Sequence, residues 1–160
     1  MNKAYLLTGG NTGNREGYLQ QAIELIGESC GKVEKQSALF ETAAWGKTDQ
    51  SSFLNQAVLL DTSKGPEELM QALLSIEAKM GRHRLEKYGP RIIDIDVLLY
   101  NDMVLQSSVI NLPHPELVNR RFALTPLAEI APNVKHPILY KTIRQLLKEC
   151  PDDLAVKRIN

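Results

Sequence analysis

Two aspartates, Asp94 and Asp96, stand two positions apart in the segment from Gly89 to Leu98, in which all the other residues after Arg91 are aliphatic. A buried carboxylate is costly unless a cation or another partner compensates it. Side chains alternate across a β-strand, so both carboxylates point to one side, with Cα atoms about 6.6 Å apart. This spacing allows both side chains to bind one Mg²⁺ ion or to bracket two.

The chemistry of this acidic pair favours magnesium over zinc. Carboxylate oxygens are hard ligands, and no Cys or His stands beside the pair at metal-ligand spacing. The alternative is that Asp94 and Asp96 lie on a solvated sheet face and pair with surface lysines or arginines.

A cluster of basic residues precedes the acidic pair. Guanidinium and ammonium groups suit phosphate oxygens, and glycines at positions 81 and 89 favour a mobile loop that closes over a polyphosphate. The alternative is a solvated basic loop. The cluster comprises Arg82, His83, Arg84, Lys87 and Arg91.

Hydrophobic periodicity predicts the elements that must position these residues. Strands are expected at residues 3–8, 33–42, 53–62 and 91–100, with shorter ones at 104–105 and 109–112. Helices are expected at residues 15–28, from Gly65 to Met80, at 122–130 and at 141–148. The glycine-rich segment 9–14 is expected to be a turn. In the strand at 91–100, Ile92, Asp94, Asp96 and Leu98 should share one face, and Ile93, Ile95, Val97 and Leu99 the other.

The order of these elements predicts an α+β fold. A β-α-β-β-α-β succession is typical of a ferredoxin-like core, with a largely antiparallel sheet and helices packed on it. A doubly wound parallel sheet is the alternative. With 160 residues, we expect one domain spanning residues 1–160.

Composition narrows the classes of partner. Lysine plus arginine and aspartate plus glutamate both number 19, so charge gives no case for nucleic acid or an acidic membrane as partner. No apolar run approaches the roughly 20 residues that span a bilayer, and no signal-peptide pattern begins the chain. Cys30 and Cys150 match no paired-cysteine motif. We expect a cytoplasmic monomer.

Several separated motifs, in order along the chain, resemble the 6-hydroxymethyl-7,8-dihydropterin pyrophosphokinase family of folate biosynthesis. The clearest runs from Lys87 to Leu98. The others are Gly9-Gly10-Asn11, Phe53-Leu54-Asn55, Gly81-Arg82-His83-Arg84, Pro113-His114, Asn119-Arg120 and Phe122.

The resemblance implies transfer of pyrophosphate from ATP to the hydroxymethyl group of the reduced pterin, with release of AMP and with two Mg²⁺ ions held by Asp94 and Asp96. Catalytic roles would belong to Arg82, Arg84, Arg91 and Asp96, with Arg84 on a loop that closes late. ATP contacts would come from Glu77, Arg82, Arg91 and Val97, and His114 and Arg120 would engage the polyphosphate.

For the pterin, the resemblance implies that the ring lies between Phe53 and Phe122. Asn55 and the main chain from Thr42 through Ala43 to Trp45 would bond its polar edge. Flat aromatic faces stack on a flat heterocycle, and an amide can both donate and accept. Alternatively, both phenylalanines are core residues and Asn55 satisfies main-chain groups.

Two other functions stay open. One is a non-catalytic nucleotide-binding or regulatory module on a ferredoxin-like scaffold, since fold alone does not determine function. The other is a different Mg²⁺-dependent phosphotransferase. The chain also departs from the family pattern at Gly10, where serine is common, and at Ala43, Ala44, Trp45 and Tyr88.

Overall fold

A computed structural model of the chain describes residues 1–43, 51–81 and 91–159. These residues form eight strands and four α-helices. The strands are β1 Asn2–Gly10, β2 Lys32–Gln36, β3 Phe40–Thr42, β4 Phe53–Thr62, β5 Asp94–Tyr100, β6 Leu105–Gln106, β7 Asn111–Leu112 and β8 Val156–Arg158. The helices are α1 Arg15–Ser29, α2 Pro66–Lys79, α3 Arg121–Ile130 and α4 Ile143–Glu149, with a 3-10 turn at Leu117–Asn119.

The main sheet confirms the predicted α+β class with a ferredoxin-like core. Its strand order is β5-β1-β4-β3-β8, and β2 also pairs with β4. Every strand pair in the described residues is antiparallel, which rules out the doubly wound parallel alternative for this sheet. Strands β6 and β7 form a separate hairpin.

Helices cover both faces of the sheet and create two apolar clusters. On what we call the α1/α2 face, Leu6 and Val58 of the sheet share a buried cluster with Leu19 and Leu73 of those helices. On the opposite α3/α4 face, Leu7 shares a second, smaller cluster with residues of α3 and α4. Successive residues of β1 thus pack in different clusters, as alternation across a strand requires.

Helices α1 and α2 begin where the sequence predicts. The Asn14 side chain accepts a 3.0 Å hydrogen bond from Gly17 N–H and caps α1. Pro66 occupies the first turn of α2. Leu69, Leu73, Ile76 and Met80 recur at helical spacing, which predicts an apolar stripe on α2, and the stripe is confirmed because all four are buried.

The single strand predicted at residues 33–42 is wrong, because the chain divides into β2 and β3. Ser37 Oγ accepts a hydrogen bond from Ala57 N–H and donates one to Ala38 O. The Ala38 N–H donates to Glu129 Oε1 of α3 at 2.6 Å. Side chains therefore take the main-chain partners that a continuous ladder would use.

The turn predicted at residues 9–14 begins later, because Gly9 and Gly10 belong to β1. Gly9 pairs with Asn55 of β4 and Asp94 of β5, and Gly10 pairs with Leu54. A Cβ at Gly9 would overlap the Asn55 side-chain oxygen, and one at Gly10 would overlap the Ile92 carbonyl oxygen. The two glycines thus permit close packing within the sheet rather than ending a strand.

The strand predicted at residues 91–100 begins only at Asp94, and its alternation is interrupted once. Ile92 precedes the strand and packs with the α1/α2 cluster, contrary to the prediction. The register with β1 shifts between Tyr5 and Leu6, so Leu98 and Leu99 both pack on the α3/α4 face. The prediction for Leu99 is therefore wrong, because a β-bulge reverses the side-chain direction after Leu98.

The sequence patterns did not predict strand β8 or the 3-10 turn. Strand β8 pairs with β3, joining Val156 to Thr42 and Arg158 to Phe40. None of the helices within the described ranges has the length and hydrophobicity of a transmembrane span.

Candidate active site

The two aspartates reach the same side of the sheet, as predicted from their spacing. Asp94 pairs with Gly9 and Asp96 pairs with Leu7, across the ladder between β5 and β1. On the other side of β1, Gly9 pairs with Asn55. Since directly paired residues share a face, Asp94, Asp96 and Asn55 all lie on the α3/α4 face, at the Gly9 end of the sheet.

Arg91 connects the acidic pair with a predicted pterin residue. Its Nη1 donates to Asp94 Oδ2 at 2.9 Å, and the two side chains are 15% and 23% exposed. Its Cζ atom lies 5.6 Å from the centroid of the Phe53 ring. One guanidinium therefore touches both the carboxylate proposed for metal binding and the aromatic face proposed for the pterin.

Asn11, for which sequence patterns predict no role, contacts the main chain of Arg91. Its side chain is buried, accepts a 2.9 Å hydrogen bond from Arg91 N–H and donates a 3.0 Å bond to Ser51 O. Its main-chain N–H also donates to Arg91 O. Asn11 thereby joins the residues that precede β5 to those that precede β4. The Gly-Gly-Asn motif was the available signal, but the motif alone does not reveal these partners.

A second arginine and phenylalanine pair stands at the start of α3. The Cζ atom of Arg120 lies 5.7 Å from the centroid of the Phe122 ring. Phe122 is partly buried against the α3/α4 cluster. Phe53 lies two residues before Asn55 in β4, so both phenylalanines predicted to hold the pterin lie on the α3/α4 side of the sheet, each with a guanidinium over its face.

His114 is held in one orientation beside the outer edge of β5. The His114 main-chain N–H donates to Leu98 O at 2.9 Å, and the ring Nδ1 accepts from Glu116 N–H at 3.1 Å. Burial, together with the positive charge of Arg120, lowers the pKa of His114 to about 4. The ring is therefore neutral near pH 7, and its proton lies on Nε2, which can donate to an anion.

A cavity of about 220 Å³ adjoins the outer edge of β5. Asp96, Val97 and His114 line it together with Met70 of α2. The segment that includes β7 contributes the other wall, with residues 107–111 and Pro115. The cavity therefore joins one predicted metal ligand to two predicted ATP residues.

Glu77, a predicted ATP residue, lies on α2 behind strand β5. It does not belong to the part of the cavity wall formed by the described residues. It is 2% exposed, and its Oε2 accepts a hydrogen bond from Ile95 N–H at 2.8 Å.

At the pterin end, Thr42 is buried and Ala43 is exposed. The Thr42 Oγ1 atom has no hydrogen-bond partner among the residues that the structure describes. A buried hydroxyl without a partner is unfavourable, so it is available to a polar ligand. Three predicted site residues, Trp45, Arg82 and Arg84, lie outside the described residues.

The donor set of the acidic pair fits magnesium. Within residues 1–43, 51–81 and 91–159, no group of three or more His, Cys, Asp or Glu side chains could hold a metal ion. Two carboxylates alone suit Mg²⁺, which commonly takes one or two protein carboxylates and completes its coordination with water and substrate phosphates. They do not suit a structural zinc site, which needs four protein ligands.

Residues 5–132 match the family described as 7,8-dihydro-6-hydroxymethylpterin-pyrophosphokinase (HPPK). The chain belongs to this family. Among similar HPPK proteins is the 2-amino-4-hydroxy-6-hydroxymethyldihydropteridine pyrophosphokinase of Aquifex aeolicus, 42% identical over 93% of this chain and 92% of that protein. The enzyme of the same name from Methylorubrum extorquens is 41% identical over 99% of each.

Solved structures agree with the HPPK fold. A Plasmodium falciparum HPPK-DHPS triple mutant superposes with a TM-score of 0.76 and 20% identity, covering 92% of this chain. This chain spans only 43% of that larger protein. At this identity the likeness establishes the fold alone.

Proposed function

We propose that this protein transfers the β,γ-pyrophosphate of ATP to the hydroxymethyl group of 6-hydroxymethyl-7,8-dihydropterin, within a single pyrophosphokinase domain spanning residues 1–160. Besides family membership, one observation carries the proposal: Arg91 contacts both Asp94 and Phe53 on the face that also holds Asn55. A phosphate-binding cation, a metal-binding acid and an aromatic surface therefore converge where the two substrates must react.

The pterin would stack on Phe53 and Phe122 at the end of the sheet where β1, β3 and β4 meet. The Asn55 amide and the Thr42 hydroxyl would bond the polar edge of the ring, because both are buried in this region. The pterin ring would then either stack on the Phe53 ring together with the Arg91 guanidinium or displace that guanidinium from it. Ala43 and Trp45 would complete the ring's main-chain partners.

ATP would occupy the cavity at the outer edge of β5, with Val97 and His114 against it. The His114 Nε2–H would donate to a phosphate oxygen, while Arg91 and Arg120 would neutralise further phosphate charge. Arg82 would support the transferring phosphates, and Arg84 would act in catalysis. Phosphoryl transfer depends mainly on such positioning and charge neutralisation.

In the reaction, the pterin hydroxyl oxygen would form a bond to the β-phosphorus of ATP. The bond from that phosphorus to the oxygen it shares with the α-phosphate would break, and AMP would leave. Asp96 would orient the hydroxyl and accept its proton. Asp94 and Asp96 would hold two Mg²⁺ ions, which when bound neutralise phosphate charge.

We also propose that ATP and the reduced pterin are the protein's partners and that it acts as a cytoplasmic monomer. The equal numbers of acidic and basic residues give no support to nucleic acid or anionic lipid as a partner, and the local basic cluster in the sequence before β5 favours a small anion. Light scattering with size-exclusion chromatography tests the monomer, and a dimer at micromolar concentration would contradict it.

Analysis of the nucleotide products tests the proposed reaction. Wild-type protein with ATP, Mg²⁺ and the pterin should yield AMP and the pterin diphosphate in equal amounts. ADP as the product would instead indicate a different phosphotransferase. Mg²⁺-independent ATP binding without turnover would indicate a non-catalytic nucleotide-binding module.

A further inference from the structure

Glu77 carries a buried carboxylate directly behind the acidic pair. It is 2% exposed, and it accepts the 2.8 Å hydrogen bond from Ile95 N–H, the residue between Asp94 and Asp96. A buried carboxylate is unfavourable compared with an aliphatic side chain of similar volume. Packing alone therefore does not account for a glutamate at this position.

The hydrogen bond from Ile95 to Glu77 lies near an end of β5 where the strand is paired on one side only. Strand β5 is the edge of the main sheet and pairs only with β1 there. That pairing ends at Gly9 and Asp94, one residue before Ile95. Strand ends that are held on one side only open more easily than strand interiors. Glu77 supplies a second attachment, on the opposite edge, next to the last paired residue.

Helix α2, which carries Glu77, is held in place by its packing. Leu73 and Ile76 anchor the same stretch of the helix in the α1/α2 cluster and are 0% and 5% exposed. The carboxylate therefore connects a packed helix to the main chain that carries both aspartates. Asp94 and Asp96 point to the other face of the sheet, so Glu77 acts on them through the strand.

We propose that Glu77 is a positioning residue of the reaction, which holds the β5 main chain at Ile95 and thereby sets how Asp94 and Asp96 present their carboxylates to Mg²⁺. This role differs from the ATP contact that family resemblance implies for Glu77. It rests on the proposed function, because that function requires the metal.

Three substitutions separate the hydrogen bond from the charge. Glu77→Gln keeps an acceptor oxygen and removes the charge. Glu77→Asp keeps the charge but is one methylene too short to reach Ile95 N–H in the same place. Glu77→Met removes both and still fills the space. Glu68→Gln, an exposed acid in the first turn of the same helix, is the matched control.

Two measurements besides turnover report the effect. Hydrogen exchange of the Ile95 amide reports the bond, and calorimetric Mg²⁺ titration with a non-hydrolysable ATP analogue reports the metal site. Glu77→Asp and Glu77→Met should speed the exchange and weaken Mg²⁺ binding by roughly 10–100-fold, as is usual when a group supporting metal ligands is lost. Glu77→Gln and Glu68→Gln should resemble wild type in both. In turnover, the two impaired variants should need more Mg²⁺ while the pterin KM stays unchanged.

The reverse pattern would overturn the proposal. If Glu77→Asp binds Mg²⁺ like wild type and Glu77→Gln does not, the charge of Glu77 controls Mg²⁺ binding and the position of the strand does not. Normal Mg²⁺ binding in every variant, despite fast exchange at Ile95, would also overturn it. If Glu77→Met fails to fold, the Gln and Asp variants still decide. A wild-type protein that makes no AMP would refute the proposed function, whereas the Mg²⁺ titration would still test Glu77.

Discussion

The two faces of the sheet differ most at the end where β1 reaches Gly9. On the α1/α2 face, Leu54 and Ile95 are fully buried in an apolar cluster. On the α3/α4 face, their chain neighbours Asn55, Asp94 and Asp96 present polar groups. Adjacent residues of one strand therefore serve the core and the site separately. This separation lets the protein keep carboxylates together without placing them inside its larger apolar cluster.

Asp96→Asn should show the largest effect and leave the core unchanged. Loss of a carboxylate that we propose holds Mg²⁺ should remove several kcal/mol of charge stabilisation, which corresponds to a decrease in kcat/KM of roughly 10³-fold or more. Steady-state kinetics and urea unfolding measure the two quantities. Asp102→Asn, in the exposed turn after β5, is the control. Wild-type turnover in Asp96→Asn would contradict a metal role for this residue.

The adjacent residues Leu54 and Asn55 test the comparison of the two faces directly. Leu54→Ala should lower the unfolding free energy by about 2–5 kcal/mol, because it removes a fully buried side chain. Turnover per folded molecule should stay close to wild type. Asn55→Ala should instead raise the pterin KM. Chemical unfolding and kinetics on both variants provide the measurements, and equal stability losses with equal KM values would refute the separation.

Protonation of His114 should make the unfolding free energy of the protein depend on pH. Its folded-state pKa of about 4 lies below the ordinary 6.5, so the folded protein favours the neutral ring. The resulting stability is fully present above pH 6.5 and is lost as the pH falls through about 4. The full change is at most about 3–4 kcal/mol.

Urea unfolding of wild type and His114→Asn between pH 7.5 and pH 4 measures this contribution as a difference. Burial also lowers the pKa of His136, which acts with the same sign in both proteins and cancels. A difference that stays constant across this pH range would show that His114 does not titrate as described.

Gly10→Ser should have a smaller effect on stability than Leu54→Ala. A side chain there meets the Ile92 carbonyl oxygen, which is main chain and cannot move freely. Such overpacking costs about 1–3 kcal/mol. Gly27→Ala in α1, where a Cβ meets nothing within 4 Å, should instead stabilise by about 0.5–1 kcal/mol. Thermal unfolding of both variants checks the contrast, and a Gly10→Ser protein as stable as wild type would contradict it.

The parts of the fold that depend on local periodicity could be predicted from sequence. Strand β4 has the bounds that its apolar pattern indicates, and the buried stripe of α2 follows helical spacing. The turn predicted at Gly9 and Gly10 is wrong because glycine occurs both in turns and where neighbouring segments pack closely. The packing partners, Asn55 and Ile92, are distant in sequence.

The candidate site shows the same limit. The spacing of Asp94 and Asp96 was enough to place both carboxylates on one face, because alternation is a local property of a strand. The contact of Arg91 with Phe53, the bonds of Asn11 and the bulge near Leu98 all depend on how separate segments meet. Patterns in a single sequence carry no information on contacts between segments that are distant along the chain.

The outer edge of β5 has a consequence for how the protein avoids aggregation. Glu77 takes the Ile95 N–H, and His114 N–H binds the Leu98 carbonyl. An exposed strand edge is a template for another chain, which would need free main-chain groups of this kind. The same two residues that we assign to positioning and to phosphate binding therefore also block intermolecular sheet extension beside the site.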